Sequence, residues 1–280
     1  MYALFDIGGT KTRVAVSSDL DSFGTAVKFD TPKDFTDGME AISHAITELS
    51  RGKEIAMASG GIRGPLNKEK STIVSETVLT DWVCKPIADT LRERLGAPVY
   101  LENDAALVAL GEAHYGAGQG YDIVAYLTVS TGVGGARVVR GALDEARTNF
   151  EPGHQIVDID GSTEGGSTPD ILQDLISGVA LEKARGVKPY EVAQSDVVWD
   201  TLAEYLAVGL KNTIVYWSPD VIVLGGSMIV GDPRILLEDI VRHTKEMLKG
   251  EQQCPPIVSA TLTDEGGLYG AMALLKQKIR

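Results

Sequence analysis

Two short segments of this chain carry residue types suited to holding phosphate. Asp6-Ile-Gly-Gly-Thr-Lys11 follows an apolar run from Tyr2 and precedes a second run, Thr12 to Val16. This reads as strand, glycine turn and strand. Gly8 and Gly9 are expected to take positive φ at the tip, and they bring no side chain to block an incoming group. Backbone N–H groups with Thr10 and Lys11 can cradle a phosphate, and Asp6 can hold Mg²⁺ through water. An ordinary β-hairpin also turns on Gly-Gly, so this stretch alone leaves both readings open. Ser130-Thr-Gly-Val-Gly-Gly135 repeats the pattern between apolar runs Asp122 to Val129 and Ala136 to Val139, with Thr131, Gly132 and Gly134 at its tip. Between the two hairpins, Glu102-Asn103-Asp104 closes the short strand Pro98 to Leu101 and leads into a helix, Ala105 to Tyr115. α/β folds build sites at the carboxyl ends of strands. A carboxylate there can take a proton from an alcohol, or it can simply cap the helix, as Asn103 can too.

Composition narrows the classes of function. The chain has 280 residues, 44% hydrophobic and 23% charged, ordinary for a globular protein of one large or two medium domains. Its net charge of −13 argues against wrapping nucleic acid or lying on an anionic membrane. No apolar run reaches membrane-spanning length, and the N-terminus does not read as a signal peptide. Cys84 and Cys254 lie far apart and form no metal-ligand pair. Two thiols in a chain this long suit a reducing compartment, so a cytoplasmic location is expected.

The elements that must position these residues alternate between strand and helix. Further strands are expected at Phe23 to Phe29, Glu54 to Ala58, Ser71 to Thr77, Val221 to Leu224 and Pro256 to Ala260. Helices are expected at Phe35 to Leu49, Lys85 to Leu95, Ile171 to Ala184, Val197 to Trp217, Pro233 to Leu248 and Leu268 to Ile279. Ser59 to Pro65 and Gly161 to Pro169 read as loops. Gly116-Ala-Gly-Gln-Gly120 is the best boundary. The expected organisation is two α/β domains with a cleft between them. The first spans 1–115 and is completed by the C-terminal helix, 266–280; the second spans 116–265.

One ordered set of motifs covers nearly the whole chain. It comprises Asp6-Ile-Gly-Gly-Thr-Lys-Thr12, Glu102-Asn-Asp-Ala105 with Gly111-Glu112, Ser130-Thr-Gly-Val-Gly-Gly135, Glu151-Pro-Gly-His154, Leu224-Gly-Gly-Ser227 and Gly267-Leu-Tyr-Gly-Ala271. The set resembles the ROK family (repressors, open reading frames and kinases) of the actin-like ATPase superfamily. The resemblance implies two actin-like, ribonuclease H-like domains and transfer of the γ-phosphate of ATP to a hexose or hexose derivative. The family's repressors carry an N-terminal DNA-binding extension. This chain opens on the first hairpin, so it is expected to be a kinase, often a homodimer in this family.

The resemblance also assigns residues. It points to Asp104 as general base and to Gly61, Asn103, Glu151 and His154 as sugar ligands beside it. The two hairpins become the phosphate cradle, with Gly225 and Gly226 lying against the nucleotide. The family's zinc motif, Cys-x-Cys-Gly-x-x-Gly-Cys-x-Glu, is missing. Its cysteine places hold Glu164, Gly166 and Ile171, and its Glu falls on Gln173, so no structural zinc is expected. Gln173 both donates and accepts. It can bond the sugar much as Glu would, or it can shift the substrate toward an N-acetyl sugar, another hexose or a sugar acid. Arg63 adds a charge in the loop that resembles the family's sugar-closing loop, where small or apolar residues are expected. A sensor that binds sugar or nucleotide without catalysis is the competing class, and the retained Asp104 argues against it.

Overall fold

The computed structural model describes residues 1–144, 146, 149–161, 168–250 and 252–279. It comprises two compact units. One contains Met1–Tyr115, Glu145–Asn149 and Asp264–Arg280; the other contains Gly116–Asp144 and Phe150–Thr263.

The first unit is built on strands β1 (Tyr2–Ile7), β2 (Lys11–Ser17), β3 (Val27–Asp30), β4 (Met57–Ile62) and β5 (Val99–Asn103), in the spatial order β3-β2-β1-β4-β5. β1, β2 and β3 form an antiparallel meander, and β4 and β5 continue the sheet in parallel with β1. Parallel pairing requires crossovers. Helix α1 (Phe35–Ser50) leads from β3 to β4, α2 (Ile87–Leu95) leads to β5, and α3 (Asp104–Tyr115) follows β5 without a break. Asp34 caps α1 by accepting from Asp37 N at 3.0 Å, while Met39, Ile42 and Ile46 form its buried stripe. That stripe joins Phe5, Ile7, Trp82 and Leu91 in one core. The ring of Phe5 lies where a side chain on β4 would project: an ideal Cβ on Gly60 would fall 1.9 Å from it.

The C-terminal helix, Gly266–Ile279, also belongs to the first unit and packs along α3. Its axis comes close because Gly270 faces α3 backbone; an ideal Cβ there would fall 1.8 Å from Leu107 O.

The second unit repeats the plan. Strands β6 (Ile123–Val129), β7 (Val133–Val139) and β8 (Ala142–Leu143) form the meander. Outside the sheet, the short strands β9 (Ile156–Asp158) and β10 (Asp170–Ile171) pair with each other. Helices α4 (Leu172–Ile176), α5 (Gly178–Arg185) and α6 (Val198–Trp217) lead to β11 (Val221–Gly225). Helices α7 (Ser227–Val230) and α8 (Leu237–Leu248) then lead to β12 (Ile257–Ser259). The sheet order is β12-β11-β6-β7-β8, with β11 parallel to β6 and β12 parallel to β11. α6 supplies Trp199, Leu202, Leu206 and Leu210 to this unit's core.

The structure redraws several expected elements. β3 begins at Val27, not Phe23. Ser59–Ile62, expected as loop, are strand, because β4 pairs with both β1 and β5 up to Ile62. Ser71 to Thr77 forms no strand; Ile73 makes isolated bridges to Leu66 and Val83. The expected helix at 171–184 breaks at Ser177, whose hydroxyl accepts from Ala180 N at 3.2 Å and so caps α5. α8 starts at Leu237, and Ile235 is buried ahead of it in irregular chain. Gly8 and Gly9 do not have positive φ. Their missing side chains matter for space: an ideal Cβ on Gly9 would lie 3.1 Å from Val78 Cγ1. Glu164 and Gly166, the expected vacant zinc places, lie outside the described residues.

Candidate active site

In the first unit the site forms where β1, β4 and β5 end side by side. The register places Asp6 opposite Gly61, Gly61 opposite Glu102, and Ile62 opposite Asn103. Asp104 follows as the first residue of α3. Gly61 leaves room for both carboxylates: an ideal Cβ there would lie 3.2 Å from Asp104 Cα and 3.5 Å from Asp6 Oδ1. Gly267 of the C-terminal helix presses on Asp6 from another element, with an ideal Cβ 2.9 Å from Asp6 Cγ. Asp6, Gly61, Asn103 and Asp104 are thus brought together.

The carboxyls titrate abnormally. Burial, then the nearby Asp104 charge, pushes Asp6 up to about 7, against the opposing pull of Arg13. Arg13 lies 3.6 Å from Asp6 Oδ2 and 2.6 Å from Asp264 Oδ2, and Lys28 holds Asp264 at 2.9 Å. Burial also raises Asp104, partly offset by a 2.8 Å hydrogen bond from Ala105 N and by the charge of Arg63. Asn103 performs the capping: its Oδ1 accepts from Ala106 N at 3.2 Å, and its Nδ2 donates to Gly64 O at 3.3 Å. Asp104 is therefore not needed as the cap. Glu102, buried beneath them, accepts from Asn103 N at 3.0 Å and pairs with Lys70.

The first hairpin is braced from β3 and the chain beyond it. Gly8 N donates to Lys11 O at 3.0 Å, Thr31 N to Thr10 O at 2.9 Å, and Thr31 Oγ1 to Gly8 O at 2.8 Å. Lys11 pairs with Asp30 at 2.7 Å, whereas Lys33 reaches the tip and donates to Gly9 O at 2.6 Å. Sequence reasoning missed Lys33, Arg13 and Asp264. None lies in a motif; the β1–β2 register brings in Arg13, the chain beyond β3 brings in Lys33, and the return of the C-terminal segment brings in Asp264. The alternation of β2 places Arg13 opposite Asp6, which is the one signal that was available.

In the second unit, the hairpin at Ser130–Val133 lies among three helix starts. Ser130 N donates to Gly132 O at 2.8 Å, Gly178 N of α5 donates to Ser130 O at 2.7 Å, and Ser227 of α7 lies 3.3 Å from Ser130 Oγ. Gln173 of α4 accepts from Val133 N at 2.9 Å, and an ideal Cβ on Gly132 would fall 2.7 Å from the same oxygen. The carbonyl end of Gln173 is thus committed to the hairpin backbone. Glu151 precedes the turn Pro152–His154 and His154 ends it, and both are exposed. Gly153 packs that turn on β7, with an ideal Cβ 2.4 Å from Val133 O, and Leu172 N ties α4 to Gln155 O at 2.9 Å. Gly225 ends β11 opposite Thr128. Gly226 has φ 88° and lies against the hairpin's base, where an ideal Cβ would fall 2.2 Å from Val129 O. Thr131 is exposed at the tip, with Gly134 one residue into β7.

A meander of three strands extended by two parallel strands, built twice, with glycine hairpins and an acid at a strand end, is the plan of the actin-like ATPase sugar kinases. Within that class the chain belongs to the ROK family, whose profile matches residues 2–278. A glucokinase of Thermotoga maritima is 27% identical to it, over 98% of this chain and 96% of the relative. The crystal structure of a ROK hexokinase from Thermus thermophilus is 30% identical, with TM-score 0.83 over 100% of this chain and 99% of that one. A ROK glucokinase from Streptomyces griseus, solved with glucose and AMPPNP, is 26% identical, with TM-score 0.79 over 99% of both chains.

Proposed function

We propose that this protein transfers the γ-phosphoryl group of ATP to a hydroxyl of a hexose or hexose derivative, with Asp104 as the base. It is an ATP-dependent sugar kinase. One observation carries the role of Asp104. Its carboxyl lies at the carboxyl end of β5, next to Asp6, and burial holds its proton affinity above that of an ordinary carboxylate. A sugar hydroxyl gains nucleophilicity as its proton passes to such a group, and a base of raised pKa accepts it more readily.

Asn103, through its position beside Asp104, and Gly61, through its open backbone, are assigned to the acceptor side. Glu151, His154 and the free amide nitrogen end of Gln173 are assigned to sugar hydroxyls, where Gln173 in place of Glu suits an N-acetyl sugar as well as a plain hexose. Gly8 to Lys11 with Lys33, and Thr131 to Gly134, supply donors for phosphate oxygens. Gly225 and Gly226 leave open backbone for the nucleotide.

Among the described residues no group of three His, Cys, Asp or Glu forms a metal cage. A hydrated Mg²⁺ needs no such cage, and a carboxyl whose ionisation is suppressed by burial and then by a neighbouring acid is a fitting partner for a cation. Asp6 would hold it through water. Bound there, Mg²⁺ would neutralise phosphate charge.

No helix among the described residues is long and apolar enough to cross a membrane. Cys84 and Cys254 are free thiols, which suits the reducing, ATP-rich cytoplasm. A homodimer is proposed from family membership. Measuring ADP release with a panel of hexoses and N-acetylhexosamines tests the activity. The expected outcome is ATP turnover stimulated by at least one sugar. Tight sugar binding with no stimulation by any of them would instead establish a sensor.

A further inference from the structure

Arg63 lies one residue beyond the end of β4, and its N–H still continues the sheet, donating to Ile7 O at 3.1 Å. Side chains along a strand alternate, so residue 63 leaves the sheet on the same face as Gly61. That face carries Asp6 and Asp104. The stem of Arg63 passes over the hairpin tip: an ideal Cβ on Gly9 would lie 3.5 Å from Arg63 Cδ. Beyond the stem, Nε donates to Glu76 Oε2 at 3.1 Å.

Glu76 is a fixed anchor. Its side chain is only 5% exposed, and its other oxygen accepts from Thr77 N at 2.8 Å and Val78 N at 2.9 Å. A guanidinium presents five N–H donors in a rigid fork. Only Nε is used here; among the described residues the two terminal nitrogens make no hydrogen bond. The side chain keeps 34% of its surface exposed. Its charge also reaches Asp104, pulling that carboxyl's proton affinity down against the effect of burial. Arg63 is thus an oriented cation with a free donor pair, held between the glycine tip and the proposed base.

We propose that Arg63 is a further catalytic residue, whose terminal nitrogens bind the phosphoryl group while it is in transfer. In that step the bond between γ-phosphorus and the oxygen bridging to the β-phosphate breaks, and ADP leaves with the electron pair. A bond forms from the sugar hydroxyl oxygen to phosphorus, and the hydroxyl proton passes to Asp104. Negative charge lies on the three equatorial oxygens of the group in flight, where a planar fork can meet two of them. The proposal rests on the kinase reading above.

The test compares wild type with Arg63→Ala and Arg63→Lys, using the sugar that gives the best wild-type turnover. Arg63→Ala is expected to lower kcat by roughly 10²- to 10³-fold, with KM for ATP and sugar changed less than about threefold. Arg63→Lys keeps the charge without the fork and is expected to recover only part of the loss. Added methylguanidinium should raise the kcat of Arg63→Ala while leaving wild type unaffected, a rescue that a purely structural arginine would not show. A kcat for Arg63→Ala within about twofold of wild type overturns the proposal. So does a raised sugar KM at unchanged kcat, which would make Arg63 an acceptor-side ligand for an anionic sugar. If Arg63→Ala melts at the assay temperature, Arg63→Lys decides: a kcat loss at constant KM supports the role, and wild-type kinetics overturn it. An active wild type with an unaffected variant removes the arginine's role alone. A wild type that no sugar stimulates removes the kinase reading and this proposal together.

Discussion

The two hairpins have one topology and opposite chemistry. At the first, Asp6 precedes the glycines, a second acid enters from the start of α3, and Arg13, Lys33 and Arg63 surround them. At the second, the neighbours are Ser130, Ser227, Gln173 and the starts of α5 and α7, and the braces are neutral hydrogen bonds. Duplicating a sheet therefore does not duplicate a site. The plan supplies a glycine tip with open backbone twice, and the side chains around it differ: carboxyls and cations at the first, hydroxyls and an amide at the second.

The sharpest way to break this contrast is Asp104→Asn. Turnover is expected to fall by about 10²- to 10⁴-fold, with ATP affinity by calorimetry within a few-fold of wild type. Near-normal turnover would take acid–base chemistry away from the first hairpin.

Next is pH. In the folded protein Asp6 keeps its proton up to about 7, while in the unfolded chain it ionises near 3.8. Between those values the folded state holds more protons than the unfolded one, so stability falls as pH rises from about 4 to 7 and this contribution levels off above. The upper limit is about 4 kcal/mol, reduced by the solvent that reaches the partly open side chain. Urea melts of the metal-free protein at a series of pH values measure the slope, and Asp6→Asn should flatten it.

A smaller effect is expected from Gly132→Ala. The new Cβ meets Gln173 Oε1, so Gln173 must leave Val133 N. Melting should show a loss of about 1–2 kcal/mol, with a several-fold higher KM for ATP. The smallest effect belongs to Gln173→Glu, which keeps the acceptor for Val133 N. Stability should stay within about 0.5 kcal/mol, while the ratio of kcat/KM between N-acetylated and plain hexoses shifts.

The sequence showed the repeat because glycine pairs between apolar runs are local features. Asp104 was legible for a similar reason: a strand end and a helix start share one short motif. What stayed hidden depends on pairing between distant segments. Arg13 joins Asp6 through strand register, and Asp264 and Gly267 arrive on the turn and the helix that follow the whole second unit. The Ser59 to Pro65 stretch looked like loop because its glycines hide a strand, and Gly60 is glycine to admit the ring of Phe5. Gln173 was read as a sugar ligand from its motif place, yet its carbonyl oxygen serves the hairpin backbone.

The return of the C-terminal helix to the first unit has a consequence for synthesis. Asp6 leaves the ribosome long before Asp264 and Gly267, which flank it through Arg13 and by direct contact and are made only after the whole second unit. At a synthesis rate of about 5–20 residues per second that interval is roughly tens of seconds. Throughout it, the buried acid has neither its final packing nor its full set of charges. The first unit thus cannot complete its packing around Asp6 until the segment that follows the second unit has been made.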